Sequence, residues 1–329
     1  MFKGKKILIT GGTGSLGKAL AKRLLELDAD IVRIFSRNEN NQTTMESEFD
    51  DDRLRYFIGD VRDLPRLIKA MEDVDIVYHA AALKHVPVVE YNPFEAIKTN
   101  VLGSQNVIDA CLHENIETVV CVGTDKAVSP LNTYGATKLL MEKLFVTASN
   151  YTNRERHKTK FIAIRYGNVL GSSGSVVPTL LKQIESGRNI TITDPNMTRF
   201  NITMNQALDF IIRSSKKGNG GEVFIPKLKA YSLGILKEAI LEVLEKDVKT
   251  ELISVRPGEK YHESLISSEE IRNTFEDKDD YVILEDSLQN NIKTKKSTLT
   301  NQYSSDVVEC LTKKELKKIL IEEKLVSTK

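Results

Sequence analysis

Short apolar runs alternate with stretches of helical period through the first half of the chain. Lys6–Thr10 (KILIT) reads as a strand, and Ser15–Leu27 repeats Leu16, Leu20, Leu24 and Leu27 along one helical face. Ile31–Phe35 and Arg53–Ile58 read as strands, Leu64–Met71 as a helix and Asp75–His79 as a strand. The pattern then predicts one long helix over Asn92–His113, a strand over Thr118–Val122, a helix over Tyr134–Ala148 and a strand over Phe161–Arg165. Strand and helix in regular alternation imply a parallel sheet with helices on both faces.

After about residue 166 the alternation breaks down. Helices are expected at Val176–Ser186, Asn205–Ser215 and Leu233–Leu244, with short strands at Ile190–Thr193, Glu222–Ile225 and Glu251–Val255. Arg272–Thr298 is polar and reads as irregular surface with one strand, Tyr281–Leu284. Thr312-Lys-Lys-Glu315 has capping-box spacing ahead of a last helix. The expected fold is α/β: a Rossmann-like doubly wound parallel sheet over residues 1–165, with later segments interleaved, and a smaller α/β lobe with a C-terminal tail over 166–329.

At 329 residues the chain is long enough for two domains. It carries 47 Lys+Arg against 46 Asp+Glu, so the basic excess of a nucleic-acid binder is missing. The basic start ends in an apolar run of Ile7-Leu8-Ile9, far shorter than a signal-peptide core. No stretch approaches the roughly 20 apolar residues of a membrane span. Cys111, Cys121 and Cys310 are odd in number and widely spaced, which suits a reducing compartment. A soluble, cytoplasmic protein without nucleic-acid or membrane partners is the expectation.

The turn after the first strand reads Thr10-Gly11-Gly12-Thr13-Gly14-Ser15-Leu16-Gly17 and opens the first helix. Glycines at that place allow a tight turn and close approach of a pyrophosphate to a helix N-terminus. An ordinary strand–helix turn is the plainer alternative, but the strand–turn–helix context is the one a dinucleotide motif requires. The end of the second strand reads Phe35-Ser36-Arg37-Asn38, with no carboxylate before Glu39. A hydroxyl and a guanidinium suit a 2′-phosphate, which points to NADP, although Arg37 alone is also compatible with a solvated surface residue. Asp60-Val61, after the third strand, falls where adenine is held.

Tyr134 and Lys138 lie at i and i+4 on one helical face. An ammonium near a phenol lowers its pKa, and the phenolate can then take a proton from an alcohol as hydride leaves. Taken together, TGGTGSLG (10–17), HAAALKHV (79–86), TDKA (124–127), YGATK (134–138), RYGNVLGSSGSVVP (165–178), MTRF (197–200) and RPGEK (256–260) resemble the extended short-chain dehydrogenase/reductases. Within them they resemble the inverting UDP-N-acetylglucosamine 4,6-dehydratases. The resemblance runs from about residue 3 to residue 266.

It implies a redox-neutral reaction. C4 is oxidised, water leaves across C5 and C6, and hydride returns to C6. By the resemblance, Lys126 is the C5 base, Asp125 the C6 acid and Thr124 their neighbour. A lysine base needs a pKa lowered by burial or nearby cations, and Lys84 is the expected neighbouring cation. A plain ion pair between Asp125 and Lys126 is the competing reading. The resemblance also places Ala80, Ala81, Lys84, Tyr134 and Lys138 near the cofactor, and Lys84, Tyr166, Asn168, Val177, Pro178, Thr198, Arg199 and Arg256 near a UDP-sugar. It implies a homo-oligomer, a dimer or a higher assembly up to a hexamer, paired through the 92–113 and 134–148 helices. His79 and His85 are six apart, not at metal-ligand spacing, and read as packing residues. A UDP-N-acetylglucosamine 4-epimerase of the same superfamily and a non-catalytic NADP-sensing Rossmann protein are the alternatives.

Overall fold

The computed structural model describes residues 2–152, 156–172, 174–284 and 294–326. Ser173 of the RYGNVLGSSGSVVP motif and residues 285–293 of the polar Arg272–Thr298 stretch lie outside them.

The first half runs β1 (Lys6–Thr10), α1 (Ser15–Glu26), β2 (Ile31–Ser36), α2 (Glu39–Phe49), β3 (Leu54–Ile58), α3 (Leu64–Met71), β4 (Ile76–His79), α4 (Val86–Tyr91) and α5 (Pro93–Ala96). It continues through a π-helical turn (Ile97–Leu102) to α6 (Gly103–His113), β5 (Thr118–Val122), α7 (Thr133–Tyr151) and β6 (Lys160–Ile164). The second half contributes α8 (Val176–Glu185), β7 (Ile190–Ile192), β8 (Thr198–Phe200), α9 (Met204–Lys217), β9 (Val223–Pro226), β10 (Ala230–Ser232) and α10 (Leu233–Val243). Last come β11 (Thr250–Leu252), β12 (Ser264–Ile266), β13 (Thr274–Glu276), β14 (Asp280–Ile283), β15 (Lys295–Lys296), β16 (Tyr303–Ser304) and α11 (Lys313–Glu322).

Ten strands form one sheet in the order β15-β13-β14-β9-β6-β5-β4-β1-β2-β3. From β9 to β3 the pairing is parallel, and β14, β13 and β15 add antiparallel strands at one edge. The run 3-2-1-4-5-6 is the doubly wound order, whose ligand crevice opens at the carboxyl ends where β1 and β4 part. The central strands are apolar on both faces, as burial between two helical layers demands: Ile7, Leu8, Ile9, Val119, Val120, Phe161 and Ile162 are fully buried.

Four strands of this sheet, β9, β13, β14 and β15, and a helix packed on it come from beyond residue 166. β9 pairs with β6, β14 pairs with β9, and α9 packs on α1. A separate core joins α8, α10 and α11 through Leu180, Ile184, Leu236, Ile240, Leu316 and Leu320. Thr312 and Glu315 close the capping box that starts α11. The C-terminal segment therefore completes the second lobe, with β16 pairing β12.

The long helix expected at 92–113 is broken. Pro93 begins a short turn and the backbone widens to π geometry before α6. Asn100 explains the widening, because its side chain accepts from Leu83 N at 2.7 Å and donates to Leu83 O and Thr137 Oγ1 at 3.0 Å. It ties the loop after β4 to α7. The polar Arg272–Thr298 stretch holds β13 and β15 as well as the expected strand.

Candidate active site

Glycine at three positions lets the first crossover close tightly. Gly11 sits at φ +68, and a β-carbon there would stand 2.9 Å from the Ala81 backbone. A β-carbon on Gly12 would meet Ile34 at 2.8 Å, and one on Gly17 would meet Gly12 O at 2.5 Å. The N-cap of α1 is Gly14, with no side-chain cap and no acidic residue in the first turn, so its N–H groups face the turn unmasked. Ser15 and Leu16 form that first turn. This cradle fits a pyrophosphate.

The groove beside it is lined by Gly11, Thr13, Ser36, Arg37, Asp60, Val61 and Ala81. Sequence reasoning missed Asn38, Asn41, Ala82 and Thr99, which also line it. Asn38 caps α2 by accepting from Asn41 N at 2.9 Å. The Arg37 guanidinium lies 3.7 Å from Asp60, and Arg62 holds the same carboxylate at 2.7 Å. Asp60 loses some of its charge preference to burial, but the two arginines keep it below the usual carboxylate range. Ala80 is half-buried at the start of the loop after β4, and Lys84 is exposed further along it.

The chemical end of the crevice lies after β5. Thr124 caps a short 3-10 turn over Asp125–Ala127 and donates its hydroxyl to Asp125 Oδ1 at 2.9 Å. Asp125 is fully buried. Lys126 Nζ donates to Asp125 Oδ1 at 2.9 Å, to Asn168 Oδ1 at 2.9 Å and to Glu263 Oε1 at 2.8 Å. An ammonium has three donors, and all three are taken. Tyr134 opens α7 beside this cluster. Gly135 is required there because a β-carbon would come 2.3 Å from Lys126 O, and Asn132 caps the helix by accepting from Gly135 N at 2.8 Å.

Two electrostatic expectations are corrected. Burial would lower the Lys126 pKa, but Asp125 and Glu263 outweigh it and hold the ammonium above its usual range. Arg199, rather than Lys84, is the cation that opposes this. The Tyr134 phenol is likewise not depressed: desolvation raises it to about 12, against the pull of Lys126 and a hydrogen bond with Thr124. The Lys138 ammonium donates to Val122 O at 2.7 Å and to Met141 Sδ at 3.1 Å instead of to the phenol. Burial lowers the Lys138 pKa.

The other residues assigned to the sugar scatter. Tyr166 is buried and its carbonyl accepts from Asp125 N at 3.2 Å, while Asn168 touches Lys126 directly. Val177 packs in the second core, beside half-buried Pro178. The Thr198 hydroxyl bonds His262 and Ser305 at 2.8 and 2.7 Å. Val177 and Thr198 are both buried. Arg199 pairs with Glu259 at 3.3 Å, and Arg256 is exposed. His79 is a neutral core residue. It bonds Thr10 at 2.7 Å and Ser104 at 3.0 Å, and burial pushes its pKa down to about 3. Glu263 carried no motif signal, and only its place in the fold reveals it.

The chain matches the polysaccharide biosynthesis protein family over residues 7–285. It is 48% identical over 285 residues to a UDP-N-acetylglucosamine 4,6-dehydratase (inverting) of Campylobacter jejuni, covering 86% of this chain and 84% of that one. A UDP-glucose 4-epimerase of Rickettsia massiliae is 39% identical over 331 residues, covering 98% and 96%. An X-ray structure of Pen from Bacillus thuringiensis matches with a TM-score of 0.93 at 40% identity, covering 99% of this chain and 100% of that one.

Proposed function

Since the chain belongs to the polysaccharide biosynthesis protein family, within the extended short-chain dehydrogenase/reductases, we propose that it is a C5-inverting UDP-N-acetylglucosamine 4,6-dehydratase. The observation that carries the reading is the acid–base cluster after β5, where Asp125 and Lys126 share a hydrogen bond beside Tyr134. A bound nicotinamide dinucleotide supplies the redox partner for C4 and C6. The chain's own groups move the protons. Tyr134 reacts as its phenolate, the form that Lys126 and Thr124 favour against burial: Oη takes the proton of the C4 hydroxyl as that carbon becomes a ketone, which acidifies C5–H. The C5–H bond then breaks toward Lys126 Nζ, leaving its electron pair in the enolate. Asp125 protonates O6, and the C6–O bond breaks to release water. The product is a UDP-2-acetamido-2,6-dideoxy-4-hexulose.

Incubating the protein with UDP-N-acetylglucosamine in D₂O and following the sugar by NMR tests this. Water loss with deuterium at C5 and inverted C5 supports it. Inversion at C4 without water loss would make the protein an epimerase, the activity named for the Rickettsia relative.

The cofactor in this reading is NADP(H), held by Ser36 and Arg37. Gln42 donates to Ser36 Oγ at 3.0 Å, leaving the serine hydroxyl proton for a phosphate oxygen. Arg37→Asp is expected to weaken NADP(H) binding by about 1.5–3 kcal/mol while sparing NAD(H). Equal losses for both cofactors by calorimetry would remove Arg37 from that role.

The reading includes self-association. Phe94 and Leu102 are exposed within the 92–113 segment and Leu140 within the 134–148 helix, and Tyr91, just ahead of the first, is 86% accessible. A second copy of this chain is the partner that pairing through these helices implies. A monomeric mass by light scattering at micromolar concentration contradicts it. Among the described residues, no helix is long and apolar enough to cross a membrane.

A further inference from the structure

The Lys126 ammonium, with every donor engaged, has no lone pair for a C5 proton. Something on the chain must accept one of its protons and hold the resulting amine in place. Its carboxylate neighbours are Asp125 and Glu263, both essentially without solvent contact. Each has one oxygen, Asp125 Oδ2 and Glu263 Oε2, buried with no hydrogen-bond partner among the described residues. Unpaired carboxylate oxygens in a dry site are costly, so both are poised to receive a proton or a hydroxyl.

The two carboxylates are held differently. Asp125 accepts from Thr124 and lies in the short turn that carries Lys126 itself. Glu263 is anchored from the far end of the chain. Its N–H donates to Ser305 Oγ at 2.9 Å and its carbonyl accepts from Ser305 N at 2.8 Å, just ahead of the β12–β16 ladder.

We infer that Glu263 is the positioning residue for the base: with Asn168 it holds Lys126 Nζ toward the sugar while the third ammonium proton passes to Asp125. In that transfer a Nζ–H bond breaks and an Oδ–H bond forms, so the ion pair becomes a neutral amine and a neutral carboxylic acid. These are the base and the acid that the elimination needs, and no outside proton is consumed. The inference rests on the dehydratase reading above.

The charged and titratable groups around Lys126 are Asp125 on its own turn, Glu263, Arg199 on β8, Lys260, Tyr134 on α7 and Tyr231 on β10. Glu263 is the member of this set that raises both Lys126 and Asp125, while Arg199 opposes it at Lys126. Removing the Glu263 charge therefore lets Lys126 become neutral at lower pH and Asp125 lose its proton at lower pH.

Glu263→Gln keeps an acceptor oxygen for Nζ and removes only the charge. Its bell-shaped pH profile for C5 deuterium exchange and water loss is expected to slide as a whole to lower pH, by roughly 1–3 units. Glu263→Ala, which frees Nζ, is expected to lose about 10²-fold in C5 exchange with C4 oxidation retained, and Glu263→Asp to recover part of that loss. A Glu263→Gln profile that superimposes on the parent's overturns the inference. So does a Glu263→Ala variant in which C4 oxidation and C5 exchange fall together. If the parent neither loses water nor exchanges C5, the dehydratase reading itself fails and takes this inference with it. If the parent does both and Glu263→Gln tracks it, only the inference fails.

Discussion

Lys126→Met is expected to lower the rate of water loss by about 10²–10⁴, far more than it slows C4 oxidation. Methionine keeps the length of the side chain but brings no proton acceptor to C5. The variant also leaves Asp125 and Glu263 without the ammonium that lies 2.9 and 2.8 Å from them. Burial and Glu263 already raise the Asp125 pKa, so without that ammonium Asp125 takes up a proton more readily. With C5–H uncleaved the half-reaction halts after the first step, and reduced nicotinamide accumulates as a stable absorbance once UDP-N-acetylglucosamine is added. Deuterium exchange at C5 falls to background. Exchange continuing at the parental rate would reduce Lys126 to an ion-pair partner of Asp125 and return the search for the base to the rest of the crevice.

Glu142→Ala destabilises the protein by roughly 3–5 kcal/mol. Arg165, at the end of β6, is 1% exposed and donates to both oxygens of Glu142 on α7 at 2.5 and 2.6 Å. It also reaches Glu270 at 2.7 and 3.0 Å and Leu265 O at 3.1 Å. Burial alone would lower the guanidinium pKa, but the two glutamates hold it above its usual value. Deleting Glu142 leaves that charge in the interior with one of its two carboxylate partners. The comparison is Lys318→Ala, which breaks a 3.7 Å pair exposed on α11 and should cost no more than about 0.5 kcal/mol. Urea denaturation of the two variants measures both, and equal midpoints would show that the buried pair adds nothing. Because Arg165 joins α7, β6 and the turn after β12, Glu142→Ala should also loosen the placement of Tyr134 and Glu263.

The hydrophobic pattern was enough to place most strands of the parallel sheet and the helices between them, because each central strand is buried on both faces and each helix on one. The pattern fails where burial does not set the conformation. α2 reads Glu-Asn-Asn-Gln-Thr-Thr-Met-Glu-Ser-Glu-Phe, and only Gln42 and Met45 are buried in it, so no apolar stripe announces a helix. It forms because Asn38 caps it and Gln42 donates to Ser36 O and Phe57 O at 3.1 and 2.9 Å. In 92–113 the apolar period is continuous, yet the backbone widens because the Asn100 side chain bonds to Leu83 and Thr137. β13 and β15 are three and two residues long and have no room for an alternating pattern, so backbone pairing alone makes them strands.

The same division runs through the candidate site. The glycine turn, the strand-end Ser36-Arg37, the Thr124-Asp125-Lys126 triplet and the Tyr134/Lys138 spacing are local, and the sequence by itself determined them along with the parallel α/β fold. The charge states were not local. Lys126 stays an ammonium because Glu263, carried in from the second lobe and held by Ser305, adds its charge from 2.8 Å away to that of the adjacent Asp125. Tyr134 rises to about 12 because it is desolvated, and Lys138 turns to Val122 O instead of the phenol. Proton affinities depend on which charges share a dry volume, and residues distant along the chain share one only after the tertiary structure has closed.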